Sequence, residues 1–325
     1  MILAIALFLL GFVFLIKGGD WFVDGATGLA HRFHLPEVLI GATVVSIGTT
    51  LPEVMVSAQA AAAGNAGISY GNAIGSIICN TSLIAALTVA VRPGAVSRRS
   101  LLLPVCFFFG SAALYALAAY TAGTFTRWMG AAFLLIFCVY MALTVRQMKL
   151  APEAAPKAEE DPEPAAERPL RRDLMLLIAG AAVIAVGARL LVDNGTLIAQ
   201  ALGVPDSVIG LTMVALGTSL PELITAITAL LKGHSALSLG NVIGANLFNI
   251  VLVSGIAITI SPFSVPAEKL IGGMNSSLVV DIPLMLGVMA LLCVPALLRE
   301  KLARWQGVLL LCIYAAFTAY QFIFQ

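Results

Sequence analysis

The sequence predicts an all-α integral membrane protein of ten transmembrane helices, arranged as two inverted five-helix repeats. Three observations predict it. Of the 325 residues, 60% are hydrophobic and 11% charged, with a mean hydropathy of +1.00, whereas a soluble globule is about 45–50% apolar and 25% charged. The apolar runs reach the roughly 20 residues that carry a helix across a bilayer, too long for barrel strands. Finally, the second half of the chain repeats the first at a fixed offset.

The composition excludes soluble enzymes, and a formal net charge of +1 with scattered basic residues offers no surface to nucleic acid. The five cysteines, Cys79, Cys106, Cys138, Cys293 and Cys312, stand singly in apolar stretches without metal or disulfide spacing and are expected as small buried residues. The run Met1–Ile16 lacks the basic region and cleavage site of a signal peptide and is expected to be a retained first helix.

Divided at proline, glycine and charge signals, the spans fall at residues 1–30, 36–63, 69–92, 100–121, 125–147, 174–200, 205–232, 236–261, 274–298 and 304–324. Lys17 and Arg189 lie inside spans; the other sixteen basic residues divide fourteen to two between alternate sides, with Arg127 and Lys269 the minority. Cytoplasmic loops carry the excess of Lys and Arg, so both termini are placed outside. The organisation is then a first repeat over 1–150, a linker over 151–173, and a second, inverted repeat over 174–325. The linker holds Glu153, Glu159, Glu160, Asp161, Glu163, Glu167, Asp173 and five prolines. Such a composition supports no packed core, and it lacks the ligand order and turn glycine of a calcium loop.

An offset of 169 residues aligns Pro36–Asn80 with Pro205–Asn249 without a gap, and 18 of the 45 positions are identical. The matches include Gly41/Gly210, Thr43/Thr212, Gly48/Gly217, Thr49/Thr218, the Leu-Pro-Glu triplets ending at Glu53 and Glu222, Gly71-Asn72 with Gly240-Asn241, and Asn80/Asn249; upstream, Asp24 matches Asp193. Five helices per repeat is an odd number, so the copies enter the membrane in opposite directions. Inverted repeats with interrupted helices at matching places point to a transported substrate at the midplane.

In Gly48-Thr49-Thr50-Leu51-Pro52-Glu53 and Gly217-Thr218-Ser219-Leu220-Pro221-Glu222, proline removes an N–H and glycine permits unwinding, so both helices are expected to break there and free carbonyl oxygens. A carboxylate at the bilayer centre costs about 2.5–3.5 kcal/mol or more, and no Lys or Arg stands near Glu53 or Glu222 in the chain. With the hydroxyls of Thr50 and Ser219 and the amides of Asn80 and Asn249, they form an all-oxygen set of two negative charges, suited to Ca²⁺ or Na⁺. A proline kink beside a protonated, hydrogen-bonded glutamate is the bland alternative for one copy; packing alone would not demand the carboxylate twice. Ser76 lies on the Asn80 face, where small-residue helix packing explains it equally well. Asp24 and Asp193 are expected to cap or bind water; His31, His34 and His234 have no ligand spacing; Trp21, Trp128 and Trp305 suit interfacial anchoring.

At these motifs the sequence resembles the cation/calcium exchanger superfamily, most closely its prokaryotic sodium/calcium exchangers of ten helices. The resemblance implies four central helices that hold one Ca²⁺ or several Na⁺ in alternation, with Glu53 and Glu222 bridging the ions. It assigns the backbone oxygens of Thr49 and Thr218 to Ca²⁺, the carbonyls of Ser46 and Ala215 to Na⁺, and the side chains of Thr50, Ser219, Ser76, Asn80 and Asn249 to the same cluster. Three positions depart from it: Thr50 replaces a serine but keeps the hydroxyl, Ala245 stands opposite Ser76 without one, and Asn249 stands where some relatives carry aspartate.

The expectation is a secondary antiporter, not an enzyme, that extrudes Ca²⁺ against Na⁺ by alternating access. It works as a monomer in the lipid bilayer of a prokaryotic inner (cytoplasmic) membrane, with Ca²⁺ and Na⁺ as cargo and no cofactor. A proton-coupled or potassium-dependent Ca²⁺ antiporter is the alternative, and a cation channel would use the same oxygens without obligatory counter-ion.

Overall fold

The computed structural model describes residues 1–150, 169–203, 217–267 and 270–323. Its helices are α1 (Ile2–Arg32), α2 (Glu37–Ala62), α3 (Ala66–Val91), α4 (Arg98–Thr121), α5 (Arg127–Leu150), α6 (Leu170–Ala201), α7 (Leu220–Leu231), α8 (Ser235–Ile260), α9 (Ser277–Arg299) and α10 (Arg304–Ile323). Eight of them, α1–α6, α8 and α9, are long and apolar enough to cross a membrane.

Burial separates a centre from a periphery. In the most apolar window 78% of α8 and 72% of α3 is buried, against 22% of α1. Ile74, Ile77, Phe108, Tyr115, Phe133, Val242, Leu247, Phe248, Met285 and Leu292 share one core that joins α3, α4, α5, α8 and α9. The uncovered apolar faces of α1, α5 and α6 suit contact with lipid.

Close helix contacts run over glycines. A methyl group on Gly11 would stand 2.9 Å from the Gly187 carbonyl oxygen, one on Gly18 2.8 Å from the Ile184 nitrogen, and one on Gly25 2.5 Å from the Leu177 nitrogen. Rising numbers on α1 thus meet falling numbers on α6: the two helices pack antiparallel, backbone against backbone, over three glycines spaced by seven. A second crossing, of α2 with α8, lies where Gly41 abuts Leu237 and Asn241, Gly240 abuts Val38, and Gly244 abuts Ala42 and Ser46. The ends of α2 and α7 are alike: Gly64 and Gly233 adopt φ of +78° and +87°, a left-handed turn that glycine takes without strain. Behind them Asn65 N–H reaches Ala60 O (2.8 Å) and His234 N–H reaches Ala229 O (2.7 Å).

Three short antiparallel ribbons tie the loops. Strand β1 (Gly94–Ala95) pairs with β6 (Lys301–Leu302), β2 (Thr124–Phe125) with β3 (Phe263–Ser264), and β4 (Leu270–Ile271) with β5 (Met274–Asn275).

Several expectations require correction. Helix α2 does not break at its Gly-Thr-Thr-Leu-Pro-Glu segment; Pro52 lies inside it, since the missing N–H deletes one rung and the flanking rungs hold the turn. The irregularity is a π turn earlier, at Gly41–Val45. The second copy does break: Thr218 and Ser219 form a turn, and Pro221 occupies the first turn of α7, where no intrahelical N–H is needed. Asp173, assigned to the linker, stands in the first turn of α6, buried and 3.5 Å from the Arg32 guanidinium. Cys79 and Cys293 are buried as expected, but Cys106, Cys138 and Cys312 are exposed on outward helix faces. Residues 170–172, also assigned to the linker, belong to α6 as well, and residues 151–168 lie outside the described residues.

A candidate cation site between α2, α3, α7 and α8

Helical spacing gathers the polar side chains. On α2, Ser46, Thr49, Thr50, Glu53 and Ser57 recur at three- and four-residue intervals, as do Asn72, Ser76 and Asn80 on α3, Asn241, Ala245 and Asn249 on α8, and Glu222 and Thr225 on α7. Such residues share one helix face. Glu53, Glu222, Thr50, Asn80 and Asn249 are all fully buried, 0% exposed.

The Glu53 and Glu222 carboxyls lie close enough for Glu53 to feel the charge of Glu222, and the hydroxyls of Thr49 and Thr50 lie beside the Glu222 carboxyl. Even so, among the described residues no hydrogen bond of acceptable geometry reaches any of the four carboxylate oxygens, nor Thr50 Oγ1, Asn80 Oδ1 or Asn249 Oδ1. Among the described residues no Lys, Arg or His forms an ion pair with either glutamate. Buried polar atoms are hydrogen-bonded in the great majority of cases. Seven oxygens without such a bond on the four helices α2, α3, α7 and α8, four of them from carboxylates, are a donor set that a desolvated cation would satisfy. The described residues contain no group of three or more His, Cys, Asp and Glu fit to hold a metal, so the neutral oxygens complete any ion's shell.

Other expected residues have their hydroxyls engaged. Ser46 Oγ lies 2.8 Å from Gly41 O and 2.9 Å from Asn241 O, and Thr49 Oγ1 donates to Asn241 Oδ1 at 3.2 Å. Ser219 and Ser76 hydroxyls meet at 3.4 Å, which joins α7 to α3. Asn249 donates its amide to Ala245 O at 3.1 Å and so turns its oxygen away from that bond. Thr218 is half-buried in the turn before α7; Ala215 lies outside the described residues, as do Gly210 and Thr212. Lys232 Nζ binds Asp24 Oδ1 at 2.7 Å, Arg189 pairs with Asp193 on an exposed face, and His234 Nδ1 lies 2.7 Å from Glu37 Oε1. Asp24 and Asp193, expected to cap or bind water, thus each pair with a basic side chain, and His234 has a partner in Glu37.

Three residues escape the motif reading. Asn72 Nδ2 reaches Glu53 O at 3.0 Å and Ser57 Oγ at 2.8 Å, and Asn241 receives Ser46 and Thr49. The repeated Gly-Asn pair was their signal. Cys79, the residue before Asn80, has its thiol beside Ser219 and near both carboxylates, within 3.7 Å of the Tyr314 hydroxyl; nothing in the sequence marks it. On the α1 side, a cavity of about 10 Å³ is bounded by Phe22, Thr49, Pro52, Ala181 and Pro221, too small to hold more than about one water.

A helical membrane protein with two carboxyls and neutral oxygens buried at its centre has the donor set of a site for inorganic cations. The chain matches the model of the sodium/calcium exchanger protein family over residues 3–146 and 173–323, and it belongs to that family. It is 36% identical to an uncharacterized membrane protein of Methanocaldococcus jannaschii over 318 residues, 97% of this chain and 96% of the relative. It is 31% identical to the sodium/calcium exchanger MaX1 of Methanosarcina acetivorans, with 95% of each chain covered, and 40% identical to the inner membrane protein YrbG of Escherichia coli over 81% of each. Among solved structures it is similar to the sodium-calcium exchanger NCX_Mj soaked with Na⁺ and Sr²⁺, at a TM-score of 0.79, 34% identity and 98% coverage of both chains. The protein is thus an integral membrane cation/calcium antiporter of the exchanger family.

Proposed function

We propose that the protein extrudes cytoplasmic Ca²⁺ in exchange for external Na⁺ by alternating access, as a monomer in a prokaryotic cytoplasmic membrane. The observation that carries this reading is the pair Glu53 and Glu222, both fully buried and, among the described residues, without a cationic side chain in contact, accompanied by buried neutral oxygens that no donor reaches. Two carboxylates neutralise one Ca²⁺ or two Na⁺, and Thr50, Ser219, Ser76, Asn80 and Asn249, with backbone oxygens of Thr49, Thr218, Ser46 and Ala215, replace the lost water. Occupied by Ca²⁺ or by enough Na⁺, the carboxylate charges are offset and the surrounding helices can shift past the site; empty, two buried charges oppose that shift.

The architecture we assign is ten membrane-crossing helices in two inverted repeats, 1–150 and 174–325, joined by a cytoplasmic linker, with both termini outside. The antiparallel course of α1 and α6 supports the inversion. The ribbons support the sidedness: β1–β6 ties the loops that carry Arg92, Arg98 and Arg99 to the one that carries Arg299, Lys301 and Arg304, while β2–β3 ties two loops of the opposite side.

The decisive measurement is ⁴⁵Ca²⁺ uptake into proteoliposomes loaded in turn with Na⁺, K⁺ or a proton gradient. Uptake that follows the Na⁺ gradient alone is the expected result. Uptake that follows the proton gradient, or that proceeds without any counter-ion, would replace this reading by a proton-coupled antiporter or a channel.

A further inference from the structure

A π turn adds one residue to a helical turn and leaves one carbonyl without its intrahelical partner. In α2 that carbonyl can be named. The N–H that closes the turn, Ser46, bonds to Gly41 O and Thr43 O and passes over Ala42 O. The Ala42 oxygen instead receives the hydroxyl of Tyr140, from α5, at 3.0 Å. Tyr140 is 0% exposed, and its ring is fixed between Phe107 (centroids 5.4 Å apart) and Phe248 (6.0 Å). The same device recurs in α9: the π turn Ser277–Asp281 closes on Ser277 O, and the next carbonyl, Leu278 O, takes the hydroxyl of Tyr120 from α4.

The residues that follow the α2 turn are Ser46, Thr49, Thr50 and Glu53. Removing the extra residue's worth of winding would rotate all of them by about 100° and move them by about 1.5 Å along the axis. The Ser46–Asn241 contact that locks α2 to α8 would then be lost.

We propose that Tyr140 is a positioning residue of the ion site: its hydroxyl stabilises the π turn Gly41–Val45 and thereby sets the register in which α2 presents Thr50 and Glu53. The inference rests on the proposed role of those residues as ion ligands. An α2 without the turn has no use for a donor at Ala42, and an α2 with the turn but without the donor leaves a buried carbonyl orphaned, so the hydroxyl selects between two registers of one helix.

The test compares three replacements at position 140 in the full chain: Tyr140→Phe, which removes only the hydroxyl; para-aminophenylalanine, which restores a donor; and para-methoxyphenylalanine, which restores bulk without one. Each is reconstituted, and half-saturating Ca²⁺ and Na⁺ are measured beside the thermal midpoint. Tyr140→Phe is expected to raise half-saturating Ca²⁺ roughly tenfold, equivalent to about 1.4 kcal/mol. The amino variant recovers affinity and the methoxy variant does not. A purely structural tyrosine would lower the midpoint and leave half-saturation unchanged, and that result overturns the proposal; so does a methoxy variant that matches the amino one. If Tyr140→Phe fails to insert, the amino and methoxy pair decides by the same criterion. A parallel Glu53→Gln preparation separates the causes: if it keeps full Ca²⁺ uptake, the ion-site reading has failed and this inference falls with it, whereas its loss beside an unchanged Tyr140→Phe overturns the positioning role alone.

Discussion

Glu222→Gln keeps the shape of the side chain and deletes one of the two charges at the centre of the molecule. The cost follows from the ion's valence. At about 4 Å and an effective dielectric of about 20, two unit charges attract by about 4 kcal/mol, so one carboxylate contributes roughly 8 kcal/mol to Ca²⁺ and half that to Na⁺. The glutamine needs less desolvation than the carboxylate, which offsets part of the loss, and breaking one member of a buried charge pair nets about 3–5 kcal/mol. Ca²⁺ affinity should therefore fall on the order of 10²–10⁴-fold, and Na⁺ affinity by distinctly less. Because Glu53 and Glu222 are equally buried, Glu53→Gln should behave alike. Equilibrium ⁴⁵Ca²⁺ binding to purified protein, with Na⁺ competition, measures both quantities without reference to turnover. A Glu222→Gln protein whose Ca²⁺ affinity stays within about threefold of the parent would refute the paired-carboxylate argument.

Ala245→Ser supplies the hydroxyl that the second repeat lacks, next to the carbonyl that holds Asn249; half-saturating Na⁺ should fall severalfold, read from Na⁺-driven uptake. A charge of one per cycle, expected for three Na⁺ against one Ca²⁺, should make uptake respond to a valinomycin-clamped potential, and the parent's Ala245 favours a weaker response than the serine variant's. Gly180→Val would place its Cβ 2.5 Å from the Phe22 nitrogen and 2.7 Å from Phe22 Cα, backbone that cannot give way. A loss of at least about 1–3 kcal/mol, seen as a lower thermal midpoint and yield, is expected, and a parent-like midpoint would deny the close seam of α1 and α6. Deleting residues 153–167 touches neither repeat and should leave transport intact; abolished uptake at normal insertion would assign the acidic segment a regulatory role.

Helix positions were legible where local chemistry decides them. The ends of α2 and α7 before Gly64 and Gly233, and the starts of α3 and α8 behind them, are local features, and they recur at the repeat offset. The candidate ligands were legible for a different reason: a carboxylate in a membrane helix is costly, and a costly feature that occurs twice invites one explanation. The π turn of α2 was not legible, because an extra residue in the ladder leaves composition and hydropathy unchanged and its Tyr140 partner stands 98 residues away. The unequal fate of the two Leu-Pro-Glu segments was hidden likewise: the same triplet lies in a continuous α2 and behind a turn at Thr218–Ser219 before α7. Lys232 with Asp24 and His234 with Glu37 are contacts between distant segments, beyond any local pattern.

The ribbons β1–β6 and β2–β3 each join one strand from before residue 150 to one from after residue 170, at two separate sets of loops. Together with the shared core of α3, α5 and α8, they are contacts between the two parts that do not depend on the peptide connection, which should therefore be dispensable for holding them together. Two polypeptides, one ending after α5 and one beginning at α6, carry all the surfaces needed to find each other in a bilayer. Such a pair, co-produced from separate messages, should purify as a one-to-one complex. A single gene would then be a convenience of dosage, guaranteeing equal numbers of two parts that already recognise one another.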